Sequence, residues 1–212
     1  MKPIIMNTED IIAIRAGRKT QIRRVMKPQP ILGKPWKDWI IDAEIMDLPT
    51  TYCPFGIRSD KLSVKEIWRF TRRYHFGDDT REPQFEIEYK DGHFKTFFDK
   101  SKLEKLINFT DKYKISCTPN FAWHSPVTMP AWMSRIELEI TNIRIERLQD
   151  LTIEDVLGEG IQAPDWLLNI DSWHNPDDVM IEIYAAEYWN KYNPKYLWKS
   201  NPWTFVISFK AC

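Results

Sequence analysis

Ser134-Arg135-Ile136-Glu137-Leu138-Glu139-Ile140-Thr141-Asn142-Ile143-Arg144-Ile145-Glu146-Arg147-Leu148 carries the strongest strand signal in the chain. Ile136, Leu138 and Ile140 alternate with polar residues, the period-two pattern of a half-buried strand. The apolar set then moves to Ile143 and Ile145. A change of parity turns every later side chain to the other face unless the strand absorbs one residue. A bulge or sharp bend is therefore expected near Thr141-Asn142. Bends of this kind let small barrels turn corners.

Working outward, residues 202–210 read as a second strand and residues 60–70 as a third, with Leu62, Val64, Ile67 and Trp68 as its apolar positions. Residues 84–98 read as a hairpin. Phe85, Ile87 and Tyr89 alternate, and Asp91-Gly92 is a type I′ turn signal. Residues 7–17 read as a short helix capped by Asn7 or Thr8 and stopped at Gly17. Thr152 and Asp155 form a capping-box pattern for a helix ending near Gly158 or Gly160. A stronger helix is expected over 177–192, with Pro176 at its first turn and Val179, Met180, Ile183, Tyr184 and Trp189 as the buried stripe. Residues 100–109 suggest a further short helix. Residues 26–50 read as loop with Trp36 and Trp39 as packing anchors, and 115–133 as a Pro-rich loop. Short strands with interspersed helices and no βαβ alternation point to an α+β or small-barrel domain.

The 212 residues fit a single domain, 1–212, with 71–128 as an elaboration. A chain of this length buries roughly 70% of its unfolded surface, so the core needs no disulfide support. Apolar residues make up 43% and charged residues 28%, which excludes disorder as the main state. Lys+Arg and Asp+Glu are 30 each, so the net charge is zero. Bulk charge therefore cannot hold a nucleic acid, and such a role needs a local patch. Cys53, Cys117 and Cys212 form no CxxC pair, and the four histidines lack metal-ligand spacing, so no metal or cofactor is expected. No apolar run reads as a membrane span or signal peptide, and a cytoplasmic location is expected. Aromatic residues make up 14% of the chain, which suits either core packing or base stacking.

The strongest local asymmetry lies between Ile11 and Lys37, where Arg15, Arg18, Lys19, Arg23, Arg24, Lys27, Lys34 and Lys37 occur without an acid. One reading is a solvated helix end, where cations favour the negative dipole terminus. The other is an anion site in which Arg supplies a fork of donors and Lys a point charge. On the second reading Arg18, Arg23 and Arg24 form a phosphate-binding rim.

Within this segment, Gly17-Arg18-Lys19-Thr20, Arg23-Arg24-Val25 and Lys27-Pro28-Gln29-Pro30 resemble the N-terminal signature of phage- and prophage-encoded ASCH-domain proteins. Cys53-Pro54-Phe55-Gly56 through Leu62-Ser63-Val64-Lys65-Glu66, Met129 to Ile136, Glu146 to Ile161, and Asn201-Pro202-Trp203 are similar to the same group in the same order. The resemblance implies a PUA-like fold: a small, mostly antiparallel β-barrel with flanking helices and a cleft suited to RNA or a modified nucleoside. Some small ASCH proteins remove an acyl group from N(4)-acylcytidine. Carried over residue by residue, their catalytic Lys falls on Lys19 and their Glu on Glu159. Their Thr falls on Ile22, which has no hydroxyl to act as nucleophile or donor. Arg18, Thr20, Ile22, Arg23, Arg24, Glu66 and Trp68 are the expected substrate- or RNA-binding residues.

Two classes of function follow. One is an RNA- or nucleoside-directed protein, with an amidohydrolase among its forms. The other is a non-catalytic phage-encoded module that binds RNA or a host protein. Lys19 and Glu159 favour the first, and Ile22 favours the second. Bland readings stand beside both: Glu159 as a helix-end carboxylate between two glycines, Glu66 as half of a surface pair with Lys65, and Trp68 as core.

Overall fold

Glu137–Arg147 is a strand in the computed structural model, and it holds the expected irregularity. It pairs antiparallel with Trp203–Ala211. The register runs Ser208 opposite Asn142 and then Phe209 opposite Ile140, which leaves Thr141 as the extra residue. The bulge resolves the parity conflict. Leu138 and Ile140 are buried before it, and Ile143 is buried after it. The structure describes residues 1–31, 35–36, 39–40, 52–73, 85–97, 104–105, 108, 122–169 and 175–212.

The strands in chain order are β1 (Lys2–Ile5), β2 (Gln21–Val25), β3 (Pro35–Trp36), β4 (Trp39–Ile40), β5 (Lys61–Lys65), β6 (Trp68–Arg73), β7 (Phe85–Tyr89), β8 (Phe94–Phe97), β9 (Glu137–Arg147) and β10 (Trp203–Ala211). The five-stranded sheet has the order β1-β5-β9-β10-β2, a three-stranded sheet the order β6-β7-β8, and β3 and β4 form a two-residue ladder. The helices that bear on the site are α1 (Thr8–Arg15), α2 (Ile153–Gly158) and α3 (Pro176–Ile183). The fold is mixed α and β, and the described strands form no closed barrel. No described helix is long and apolar enough to cross a membrane.

Contacts divide the chain into two compact units. The first comprises Met1–Lys2, Ile12–Leu62 and Glu137–Cys212; the second comprises Pro3–Ile11 and Ser63–Ile136. The expected elaboration at 71–128 falls within the second.

In the first unit, β2, β10 and β9 lie side by side. Ile22 faces Ile207, which faces Ile143, so these three share one side of the sheet. All three are buried. Arg23, Val206 and Arg144 share the other side by the same register. The helix over α2 has the capping box expected of it: Asp155 N donates to Thr152 Oγ1, and Thr152 N donates to Asp155 Oδ2 at 3.1 Å. α3 starts at Pro176 with Asn175 as its cap, and then widens into a π turn over Tyr184–Trp189. The wider turn inserts a residue into the i+4 rhythm. Met180, Tyr184 and Trp189 are buried at spacings of four and then five, with Tyr188 left half-buried beside them. They pack with Leu148, Leu151 and Val156.

In the second unit, the segment expected as one strand over 60–70 is broken at Glu66-Ile67, and β6 joins a different sheet from β5. The 84–98 hairpin is present, but its turn has three residues rather than two. Tyr89 N donates to the His93 carbonyl at 2.8 Å and Gly92 N to the Tyr89 carbonyl at 2.9 Å. Gly92 has φ +83°, the left-handed position that closes a three-residue loop with a bulge. Trp68, Ile87, Tyr89, Phe97, Met129 and Met133 form this unit's core. Of the helix expected at 100–109, Glu104, Lys105 and Asn108 are described and are helical; the rest of it, the loop at 115–121 and the side chains of Trp36 and Trp39 lie outside the described residues.

Candidate functional site

Lys19 and Glu159, 140 residues apart, meet in the first unit. Their backbones form an antiparallel bridge, and Thr20 N donates to the Gly158 carbonyl at 2.8 Å. Lys19 Nζ donates to Glu159 Oε2 at 2.9 Å, to the Glu159 carbonyl at 2.8 Å and to the Tyr188 hydroxyl at 3.3 Å. The approach is so close that only glycine fits after Glu159. A Cβ on Gly160 (φ +86°) would lie 2.8 Å from Ala13 Cβ and 3.0 Å from Lys19 Cβ.

The pair belongs to a larger ionic layer. Arg23 Nη2 pairs with Asp155 at 2.8 Å and with Glu146, and Arg23 Nη1 pairs with Glu159 Oε1 at 3.5 Å. Arg144 pairs with Glu146 at 2.8 Å and with Asp155. Gln21 Nε2 donates to the Asp155 carbonyl and to its Oδ1, both at 3.0 Å. Three cations (Lys19, Arg23, Arg144) therefore face three carboxylates (Glu146, Asp155, Glu159), and the layer is electrically neutral. Burial works against the Arg23 charge, but Glu159, Tyr184, Asp155 and Glu146 more than offset it and hold the guanidinium above its ordinary range. Burial likewise opposes the Asp155 charge. The Gln21 hydrogen bond, the Arg23 charge, the Thr152 backbone and Arg144 together bring its carboxyl down to about 2. The side chains of Lys19 and Glu159 are 0% and 1% exposed.

Strand geometry explains who belongs to this layer. Gln21 and Arg23 point to one side of β2, and Ile22 points to the other. Lys19, two residues before Gln21, continues the polar side. The expectation that Ile22 lines the same cleft as Lys19 is corrected: Ile22 is core on the opposite side of the sheet.

The other expected binding residues separate. Arg23 is buried at 3% exposure, so it is no part of an exposed rim. Arg18 is half-buried, and its Nη1 donates to the Gly160 carbonyl at 3.1 Å. Thr20 is exposed. Glu66 belongs to the second unit and is buried, where Arg135 donates to both of its oxygens at 2.8 and 2.6 Å; it is not a surface partner of Lys65. Trp68 is fully buried in that unit's core, with its ring 5.0 Å from Phe70 and 4.6 Å from His124, so it offers no free face for stacking.

Arg24 alone of the three rim arginines lines an open cleft, of about 450 Å³. Val25, Lys27, Tyr52, Phe55, Tyr196 and Phe205 line it too, with the Tyr192–Lys195 turn closing one side. Arg24 and Phe205 sit opposite each other in the β2–β10 register and so face the same way. Lys27 Nζ lies 5.9 Å from the centre of the Tyr196 ring. Among the described residues the lining holds three cations (Arg24, Lys27, Lys195), five aromatic rings and no acid.

Sequence reasoning placed Lys19 and Glu159 but missed Arg144, Glu146, Asp155 and Tyr188 as their neighbours. The period-two sequence Lys19-x-Gln21-x-Arg23, matched by Arg144-x-Glu146, is the signal that marks a polar strand face. The cleft had no such signal, because Tyr196 and Phe205 are far from Arg24 in sequence. Compared with protein-family models, curated proteins and solved structures, the chain shows no match.

Proposed function

We propose that this chain binds RNA or a nucleoside through the cleft beside Arg24, and that the Lys19–Glu159 pair is a fixed part of the fold. The observation that carries the proposal is the aromatic-rich lining around Arg24, Lys27 and Lys195, which holds no acid among the described residues. Nucleic acids without duplex structure are held by such combinations, with cations on the phosphates and rings against the bases. In a chain of zero net charge this local sign matters more than the total. The proposal keeps the ASCH-type reading and its PUA-like fold, supported by the order of the matching segments and by the bulge at Thr141, a device that curves a sheet.

A second reading, hydrolysis of an N(4)-acylcytidine, draws on the Lys19–Glu159–Tyr188 chain of donors and acceptors. Such a chain could pass a proton. Against it stand the burial of both side chains, the commitment of both Glu159 oxygens to cations, and the absence of a hydroxyl at Ile22.

The test measures binding of labelled single-stranded RNA across a salt series, together with cytidine release from N(4)-acetylcytidine. Binding should weaken with salt, Arg24→Ala should weaken it further, and no cytidine should form. Salt-insensitive binding, or none, would sink the proposal. Cytidine release that disappears in Lys19→Met would establish the second reading instead.

A further inference from the structure

Resting on the binding proposal above, we infer that the cleft holds one nucleotide bearing a terminal phosphate monoester. The volume is the first reason. About 450 Å³ is the size of pocket that encloses a single small ligand, not a run of several stacked bases. Charge is the second. Among the described lining residues Lys27 and Lys195 join Arg24 without an acid, a set that suits a monoester, which carries ≈ −1.5 to −2 at neutral pH, better than a single phosphodiester. The neutral ionic layer, which keeps its own six charges in balance, is a separate set of residues.

The arrangement of the lining is the third reason. Arg24 projects from β2 next to the Phe205 ring. Its guanidinium can grip two phosphate oxygens at once, whereas Lys27 and Lys195 act as point charges. Phe205 is buried and forms fixed wall, while Tyr192 is 37% exposed at the mouth. Tyr196, beneath Lys27, is the ring best placed to pack against a base or sugar while the ammonium reaches the phosphate. This chemistry has two sources, a free nucleoside 5′-monophosphate or the 5′-phosphorylated end of an RNA.

The experiment is equilibrium titration of the full chain with adenosine and cytidine, with their 5′-monophosphates, and with one short single-stranded RNA made with a 5′-phosphate or a 5′-hydroxyl. The monophosphates should bind at least tenfold more tightly than the nucleosides, and the phosphorylated RNA at least fivefold more tightly than its hydroxyl twin. Free monophosphate should displace the phosphorylated RNA. Lys27→Ala and Tyr196→Leu should each weaken monophosphate binding about tenfold while leaving the melting temperature unchanged.

Equal binding of the two RNAs, together with no preference for monophosphates over nucleosides, would overturn the inference and leave the RNA-binding proposal standing. Monophosphate binding without any preference between the two RNAs would assign the site to free nucleotide. No binding of any probe would end both the inference and the proposal. Monophosphate binding unaffected in Lys27→Ala and Tyr196→Leu would place the site elsewhere and overturn the inference.

Discussion

Arg23 and Arg24 are consecutive residues of β2, and they face opposite ways. Arg23 enters a layer where Glu146, Asp155 and Glu159 match it and its neighbouring cations charge for charge. Arg24 enters a cleft whose lining has no carboxylate among the described residues. The strand's two-residue period sends one charge into the ionic layer and the next to the opposite side of the sheet, where the proposed ligand would lie. A cationic stretch in a sequence is therefore not one patch. In a strand it divides into two faces, and each must be judged by what the other strands and helices bring to it.

The largest expected effect comes from breaking the ionic layer. Lys19→Met leaves Glu159 buried with Arg23 at 3.5 Å as its remaining ion pair. Removing one partner of a buried pair typically costs about 3–5 kcal/mol. Urea denaturation should show a loss of that size, and adding Glu159→Leu should recover more than half of it. A parent-like midpoint for Lys19→Met would mean the layer is not a fixed unit, and the contrast with the cleft would collapse.

Next comes Ile22→Thr. In a site that used residue 22 as a nucleophile, the change would restore chemistry. In this structure it puts a hydroxyl into the apolar side of the sheet beside Ile207. A loss of about 2 kcal/mol is expected from the missing methyl and the buried polar group, with no gain in cytidine release. Appearance of activity in this variant would show that the sheet faces are not as separate as the register makes them.

Asp155 gives a smaller effect, through pH. Its folded-state value, about 2, lies below that of the unfolded chain. Its contribution is therefore complete above about pH 4 and is lost as the pH falls through its folded value. The loss should be on the order of 1–2 kcal/mol, and Asp155→Asn should flatten that part of the stability curve. An unchanged acid limb in Asp155→Asn would mean that Asp155 does not set it.

The smallest effect on stability belongs to Arg24→Ala, within about 0.5 kcal/mol. Its salt dependence of RNA binding should fall by about one phosphate contact. A large stability loss in calorimetry would make Arg24 a second structural arginine and erase the contrast between the two.

The sequence made some of this legible. The parity change after Ile140 placed a bulge or bend near Thr141-Asn142, because burial on one side tolerates no slip, and the bulge lies at Thr141. Thr152 and Asp155 marked the helix start, because a capping box is a local contract between residues three apart. Local rules failed where tertiary partners decide. The turn at Asp91-Gly92 took a third residue, since Gly92 serves as a bulge position rather than as the second residue of a tight turn. The 60–70 strand broke at Glu66, which Arg135 holds from 69 residues away. Lys19 and Glu159 came from resemblance, and their partners Arg144 and Tyr188 became visible only when the register was known. The π turn that brings Tyr188 toward Lys19 has no signature in a pattern of apolar spacing.

The β2–β10 pairing also sets a timetable. Among the described strands, β10 is the one hydrogen-bonded neighbour of β2, and Val25 waits for Thr204 while Gln21 waits for Ser208. A ribosome adds roughly 5–20 residues each second, so about 180 residues of synthesis separate the two strands by roughly 10–40 s. Through that interval β2 has left the ribosome without its pairing strand, and a nascent chain halted before Trp203 would carry Gln21–Val25 with its β10-facing edge still open.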